Sequence, residues 1–410
     1  MSSQEWAVSS SPGLYPKSNL STPAVKPARD TALDALRGLV MVIMALDHVR
    51  DFFHANAMRF SPEDLSKASA ALFLTRWITH FCAPTFMFVA GVGAALRLSR
   101  GGTVSELSRY LWTRGLWLLL LEITVFRFAI TFGLFSGPLM LVVLWALGMA
   151  MIALSALVWL PQKWVAVASV LLICLHNLAD PITASSVGSF GWLWHIVHEP
   201  GVAATSPITV FVLYPVVPWI AVMAAGYCFG PVLLRPPAER QKILIRLGTA
   251  LTLAFLLLRT VNIYGDPQPR LTSGGPLLMV LSFLRATKYP PSLDFLLMTL
   301  GPSLLMLALF YRLRPSERNP LTVIGRVPLF YFLVHFLLAH TLAFPFALAK
   351  YGNALFLLSA PPSAGGQTPY PPDFGYSLPV VYLVWLLVLA IMYPLCVWYG
   401  RSRSPLRRWI

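Results

Sequence analysis

Ten apolar runs of about 18 to 26 residues recur along the chain, at about 32–53, 72–97, 110–132, 138–160, 163–180, 207–230, 243–264, 292–312, 321–345 and 377–399. A helix of roughly 20 apolar residues matches the hydrocarbon thickness of a bilayer. No water is available there to satisfy backbone groups, so only helices and closed barrels cross it. Runs this long, without strict alternation, predict helices. The expected fold is therefore all-α, a polytopic transmembrane helical bundle of about ten spans. Residues 31–400 read as one multispan membrane domain.

Composition supports this division. With 57% hydrophobic residues, 11% charged residues and a mean hydropathy of +0.68, the 410-residue chain does not resemble a pair of soluble domains. A net charge of +15 raises nucleic acid as a partner, but the basic residues are dispersed between apolar runs. Topology explains them better. With the N-terminus inside, 20 Lys and Arg fall on the inner side and 9 on the outer, an excess that predicts an even number of spans and both termini in the cytoplasm. Residues 1–30, rich in Ser and Pro, read as a flexible cytoplasmic tail with no cleavable signal peptide, and 401–410 as a basic cytoplasmic tail. Cys82, Cys174, Cys228 and Cys396 sit far apart within apolar runs and read as packing residues. No metal is expected, because none of the histidines shows metal-ligand spacing.

The first span is the functional clue. Thr31 to His54 carries Asp34, Arg37, Asp47, His48, Arg50, Asp51 and His54, and ionisable groups at bilayer depth are costly. At about 100° per residue, Asp34, Arg37, Met41, Met44, His48 and Asp51 share one helix face. Arg37 and His54 lie about 25 Å apart along such a helix, so one helix offers a cation near one membrane face and a histidine near the other. An ion pair and a packing histidine explain any one of these residues about as well, but seven in one span favour function. Imidazole beside a carboxylate suits proton transfer near neutral pH, which marks His48 after Asp47, and His54 one turn beyond Asp51.

Further polar groups occur in apolar surroundings: Arg76, His80, Arg114, Glu122, Arg127, His176, Asn177, Asp180, Arg259, Asn262, His335 and His340. His54, His80, His176 and His198 fall toward the predicted outer side, where they could converge, although sequence does not show convergence. The segment GWLWHIVHEPG, with His195 and His198, reads as an outer lid or an interfacial anchor. Pro84, Pro215, Pro218, Pro302, Pro328 and Pro394 predict helix breaks around a pocket or packing kinks. GVG at Gly91 to Gly93 predicts close helix packing. Residues 351–376 read as an outer loop without regular structure. No internal repeat is found, and no HExxH, P-loop, dinucleotide-binding glycine pattern or GxSxG elbow.

LDALRGLVMVIMALDH, followed by PTFMFVAGVGAAL at Pro84 to Leu96, resembles the catalytic membrane domain of the heparan-alpha-glucosaminide N-acetyltransferase family, and FVLYPVVPWIAVMAAGYCFG and GRVPLFYFLVHF resemble its bacterial branch. The resemblance spans about residues 28 to 400. It implies transfer of an acetyl group from cytoplasmic acetyl-CoA to a sugar on the far side of the membrane. The family's active histidine stands in a His-Ala-x-x segment, which His54-Ala55-Asn56-Ala57 matches. Where the family's best-known member has an asparagine, counting from the Arg-Gly pair lands on His48, and the segment between the two positions is shorter here.

Joined to that resemblance, the residues assign Arg37 and Arg114 to acyl-CoA phosphates, with Asp34 beside Arg37 in the same cofactor site. His48 or His54 becomes the base or a covalent acyl relay, oriented by Asp47 and Asp51. Arg50, Arg76, His80, His176, Asn177 and His198 become acceptor-side residues. The partners implied are acyl-CoA, a sugar or envelope glycan, and the lipid bilayer, with no nucleic acid; a homo-oligomer is compatible. The expected location is the bacterial inner membrane. A proton-coupled transporter using the same Asp, His and Arg groups is the alternative, and a scaffold or sensor without turnover is the third reading.

Overall fold

The computed structural model describes residues 29–402, apart from 56, 58, 134–136 and 359–369. Both terminal tails expected from the sequence lie outside the described residues, except for Arg29, Asp30, Arg401 and Ser402. Helices dominate: α1 (Thr31–Phe53), α2 (Ala70–Thr79), α3 (Cys82–Ser99), α4 (Val104–Leu121), α5 (Arg127–Thr131), α6 (Val143–Leu157), α7 (Gln162–Leu175), α8 (Gly191–Val197), α9 (Val216–Phe229), α10 (Pro237–Val261), α11 (Pro276–Leu284), α12 (Leu293–Leu313), α13 (Pro320–Gly325), α14 (Pro328–Tyr351) and α15 (Leu378–Arg401). Seven helical segments among the described residues are long and apolar enough to cross a membrane: α2 with α3, α7, α9, α10, α12, α14 and α15. Helix α1, the α4–α5 helix and the shorter α6 pack among them, which completes the ten spans expected. The chain is an integral membrane protein.

Helix α1 is the centre. It packs against α2, α3, α12, α13, α14 and α15, and sixteen of its 23 residues are buried. A helix carrying this many charges is tolerable at membrane depth because its charged side chains meet protein rather than lipid. Its start is fixed by Asp30, whose side chain accepts from Leu33 N and from the Tyr311 hydroxyl. The outer helices α7, α10 and α15 instead leave apolar side chains such as Val170, Leu257 and Leu383 exposed, as lipid contact requires.

Glycine sets the closest helix approaches. A Cβ on Gly91 in α3 would stand 1.9 Å from the Met223 carbonyl oxygen of α9, and one on Gly226 in α9 would stand 2.0 Å from the Phe88 carbonyl oxygen. Gly93 has open space around it and lines a cavity instead. Thus the GVG stretch is half packing device and half cavity wall. Gly91→Ala and Gly226→Ala are each expected to cost about 1–3 kcal/mol by overpacking, while Gly93→Ala leaves stability unchanged. Thermal unfolding of the three variants in detergent checks this, and equal melting of all three would refute the assignment.

The polar residues that cap and join helices account for several conspicuous groups. Helix α4 begins with a Thr103/Glu106 capping box and runs through a π-helical turn, Glu122–Phe126, into α5. That turn presents buried Glu122, whose carboxylate accepts from Val142 N at 2.6 Å and so serves the start of α6, which lacks a cap of its own. Arg259 at the end of α10 donates to the carbonyls of Gln268, Ser282, Phe283 and Arg285, and Asn262 caps the helix in the left-handed conformation. These are structural roles.

Three expectations need correction. The sixth span does not start near 207: Val210–Val212 forms β3, which pairs in parallel with β1 (Leu139–Leu141) and antiparallel with β2 (Gly201–Ala204), and helix begins at Val216. β-branched Val210 and Val212 suit the small sheet. The ninth span, expected from 321 to 345, divides into α13 and α14, because Pro328 starts a helix better than it continues one. Four of the six prolines, Pro84, Pro215, Pro218 and Pro328, stand at helix starts, where the missing N–H costs nothing; only Pro302 and Pro394 lie inside helices. In the 351–376 segment the described residues include a short 3₁₀ turn, Leu355–Leu358.

Candidate functional site

A cavity of about 950 Å³ opens beside α1. Its size lies at the upper end of cofactor and small-molecule sites, about 300–1,000 Å³. Arg37, Met41 and Met44 of α1 form one wall, so the helix face expected from periodicity is the face that lines it. Helices α3, α4 and α6 and the start of α14 supply the rest. The mouth is cationic: Arg37, Arg97, Arg100, Arg109 and Arg114 line the cavity with one carboxylate, Glu106. Glu106 is already engaged by the Thr103 backbone, and Arg97 lies over the Tyr110 ring at 4.2 Å. Five guanidinium groups around one opening make a site for a polyanion.

Asp34 does not line this cavity. Its buried carboxylate sits among Arg29 at 2.5 Å, Arg37 at 3.3 Å and Arg326 at 3.9 Å. Its contribution is to hold Arg37, which also donates to the Gly325 carbonyl at 3.3 Å.

Away from the arginines the cavity lining is apolar and includes Met44 and Phe332. One turn beyond Met44 stands His48, edge-on to Phe332 at 6.2 Å and to Phe336 at 4.7 Å between ring centroids. His48 Nδ1 lies 2.7 Å from His335 Nε2, and His335 Nδ1 lies 2.7 Å from the Tyr331 carbonyl oxygen. The carbonyl can only accept, so in neutral rings His335 carries its proton on Nδ1. Nε2 of His335 is then the acceptor, and the shared proton belongs to His48 Nδ1. This leaves the lone pair on His48 Nε2. His335 is fully buried in α14.

His54 follows α1 as its C-cap, and its neighbourhood is fixed by backbone bonds: Tyr376 N donates to Phe53 O, and Ala55 N to Tyr376 O. Gly375, at φ +93°, permits that approach, since a Cβ there would meet Ala55 at 2.5 Å. Between His48 and His54 lies a buried ion network. Asp47 pairs with Arg50 at 2.8 Å and accepts from Arg76. Arg76 also donates to Glu63 at 3.1 Å, and His80 to the same Glu63 oxygen at 3.0 Å. Asp51 pairs with Arg50 at 2.6 Å. Burial pushes the Glu63 carboxyl up, but His80 and Arg76 outweigh it and hold the group below the ordinary carboxylate range.

The remaining acceptor-side residues stand elsewhere. His176 reaches the Pro291 carbonyl at 2.9 Å, Asn177 accepts from Leu293 N at 2.9 Å, and His198 pairs with Asp180 at 2.9 Å. Together they anchor the corner that starts α12. Of the four outer-side histidines, His176 and His198 lie together, ring centroids 6.1 Å apart, while His80 pairs with Glu63 and His54 caps α1. The GWLWHIVHEPG segment folds as α8 and leads into β2, with Trp194 donating to the Ile182 carbonyl and Trp192 exposed.

Arg97, Arg100 and Arg109 join the sequence-predicted Arg37 and Arg114 at the cavity, although in sequence they look like loop charges that set topology. Four arginines from 97 to 114, interleaved with Tyr110, were the available signal. His335 stands out in sequence but without a role.

A bundle of long apolar helices enclosing a cationic cavity, with a hydrogen-bonded imidazole pair beside its apolar lining, defines an integral membrane protein with a candidate site among its helices. The family follows from comparison. Residues 29–269 match the family model for the catalytic region of heparan-alpha-glucosaminide N-acetyltransferase, more than half the chain, and the chain belongs to that family. It is a membrane acetyltransferase in general class. No curated protein matches the chain. The match ends before α14, so His335 and Phe332 lie outside it.

Proposed function

We propose that the protein moves an acetyl group from acetyl-CoA, held in the arginine-lined cavity, to an amine or hydroxyl of a sugar or envelope glycan that approaches from the opposite membrane face. The observation that carries this reading is the placement of His48 against Phe332, a residue that lines the cavity. Arg37, Arg97, Arg109 and Arg114 would meet the phosphates of CoA. The pantetheine arm would follow Met41 and Met44 toward His48, about 16 Å along α1 from Arg37, with Phe332 and Met44 yielding to admit the thioester.

In the transfer itself the acceptor's nitrogen or oxygen attacks the thioester carbonyl, and its proton passes to His48 Nε2. The carbon–sulfur bond then breaks, the acetyl group stays on the acceptor, and the proton leaves with the CoA sulfur. His335 orients His48 and receives the stronger hydrogen bond when His48 becomes cationic. His48 is the better placed base, with His54 about 9 Å further along α1. The acceptor would enter past Arg50, Asp51, Arg76 and His80, while His176, Asn177 and His198 shape the outer wall. In this reading both termini and the CoA mouth face the cytoplasm of a bacterial inner membrane, in keeping with the Lys and Arg distribution.

The test is transfer of radiolabelled acetyl from acetyl-CoA by purified protein in liposomes, with extracted envelope sugars as acceptors. Arg109→Gln and Arg114→Gln are each expected to raise KM for acetyl-CoA about tenfold or more with kcat little changed, since a charge-assisted hydrogen bond contributes about 1.5–3 kcal/mol. Solute uptake without chemical change would instead support the transporter.

A further inference from the structure

We propose that a second arginine-lined recess, on the same membrane face as the cavity mouth, binds the phosphate headgroup of an anionic phospholipid. The recess, about 510 Å³, lies where the start of α1, the end of α3, the approach to α10 and the end of α12 meet, and Arg29, Asp30, Arg100, Arg240, Tyr311 and Arg314 line it. An adjoining recess of about 750 Å³ shares Arg240, Tyr311 and Arg314 and adds Arg312. Of their lining, only Arg100 also borders the large cavity.

Among the described residues the charge there is not balanced by carboxylates. Arg29 is taken by Asp34, and the carboxylate of Asp30 is taken by the α1 backbone and Tyr311. Among the described residues Arg100, Arg240, Arg312 and Arg314 have no carboxylate partner. The residues outside the described set add one acidic side chain, Glu5, and five basic ones, Lys17, Lys26, Arg403, Arg407 and Arg408. Arg240 is the organised member. Its guanidinium lies over the Tyr311 ring at 3.8 Å, one nitrogen donates to the Leu233 carbonyl at 3.1 Å, and its buried Nε has no hydrogen-bond partner. A stacked, half-held guanidinium keeps its remaining donors aimed at an oxyanion.

The rim tells a lipid from a free phosphate. Leu234 and Ile245 border the two recesses and are 59% and 46% exposed. From there the outward face of α10 continues with exposed Leu253, Leu256 and Leu257 toward the bilayer interior. An anion whose phosphate is tethered to acyl chains satisfies both halves of the surface. Basic pockets at the cytoplasmic ends of membrane helices are suited to this chemistry.

The experiment is native mass spectrometry of the full-length protein released from detergent, titrated with dioleoylphosphatidylglycerol or dioleoylphosphatidylcholine, beside thermal unfolding in the same mixtures. Wild type is expected to retain phosphatidylglycerol at least fivefold better than phosphatidylcholine and to melt higher with it. Arg240→Gln/Arg314→Gln is expected to lose both differences, Arg240→Lys to keep most of the retention, and exposed Arg318→Gln to behave as wild type. If the double variant does not fold, Arg240→Gln and Arg314→Gln singly carry the comparison. Equal retention of the two lipids, or undiminished phosphatidylglycerol binding by the variants, would overturn the proposal. So would displacement of phosphatidylglycerol by millimolar inorganic phosphate or by adenosine 3′,5′-bisphosphate, since the recess would then take a soluble phosphate. This readout needs no acetyl transfer and stands apart from the catalytic reading.

Discussion

Replacing His48 by Ala is expected to lower kcat for acetyl transfer by about 10²–10⁴-fold, the usual contribution of a positioned general base, while acetyl-CoA still binds. The cavity that would hold CoA is lined by Met44 and Phe332 and not by the imidazole, so binding and chemistry should separate. His335→Leu removes the acceptor for His48 Nδ1–H and frees the ring to change tautomer. A positioning residue of this kind is expected to cost about tenfold, less than the base itself. It should also displace the pH profile of kcat. His335→Gln, which keeps an acceptor oxygen on α14, should recover much of the loss; a residue needed only for packing would show no such recovery. His54→Ala is expected to be milder than His48→Ala, because backbone bonds between Phe53–Ala55 and Tyr376 hold that corner without the ring. The measurement is single-turnover transfer of labelled acetyl in liposomes. His48→Ala within twofold of wild type, or a larger loss from His54→Ala, would move the base off His48.

The first helix was legible because all its information is local. Arg37, Met41, Met44 and His48 repeat at three and four residues, and that alone puts them on one face. The partner faces were not legible in the same way. His335 lies 287 residues from His48 in sequence, and nothing in α14's own pattern distinguishes it from His340, which binds the carbonyls of Ala129 and Leu357. Arg259, Asn177 and Glu122 show the reverse problem. In sequence they look as conspicuous as the charges of α1, yet the fold spends them on helix ends and orphan backbone groups. Of the α1 groups Arg37 lines the cavity and His48 touches Phe332, which also lines it, and that placement depends on packing between spans. The sixth and ninth spans were misjudged for a simpler reason: hydropathy does not register the change from strand to helix at Val216, nor the proline restart at Pro328.

Asp47 carries the second large expectation, and it concerns stability. Its buried carboxylate lies between Arg50 and Arg76, and Arg76 continues to Glu63 and His80. The network joins α1 to α2 and to the loop that connects them. Asp47→Ala leaves two buried guanidinium groups facing each other with less countercharge, a change that costs about 3–5 kcal/mol when one partner of a buried ion pair is removed. Asp47→Asn keeps the shape and some hydrogen bonding but not the charge, so it should also destabilise, by less. Pairing the deletion with Arg76→Leu is expected to restore part of the loss, because the stranded cation goes with it. Thermal unfolding of the three variants in one detergent reads this directly. If Asp47→Ala melts with wild type, or if Arg76→Leu adds its full cost to it, the network is not coupled in the way the geometry requires. Because Asp47 precedes His48, a loss of rigidity here is also expected to reach the base: Asp47→Asn should lower kcat more than it raises KM for acetyl-CoA, since Arg37 lies about 15 Å away along α1.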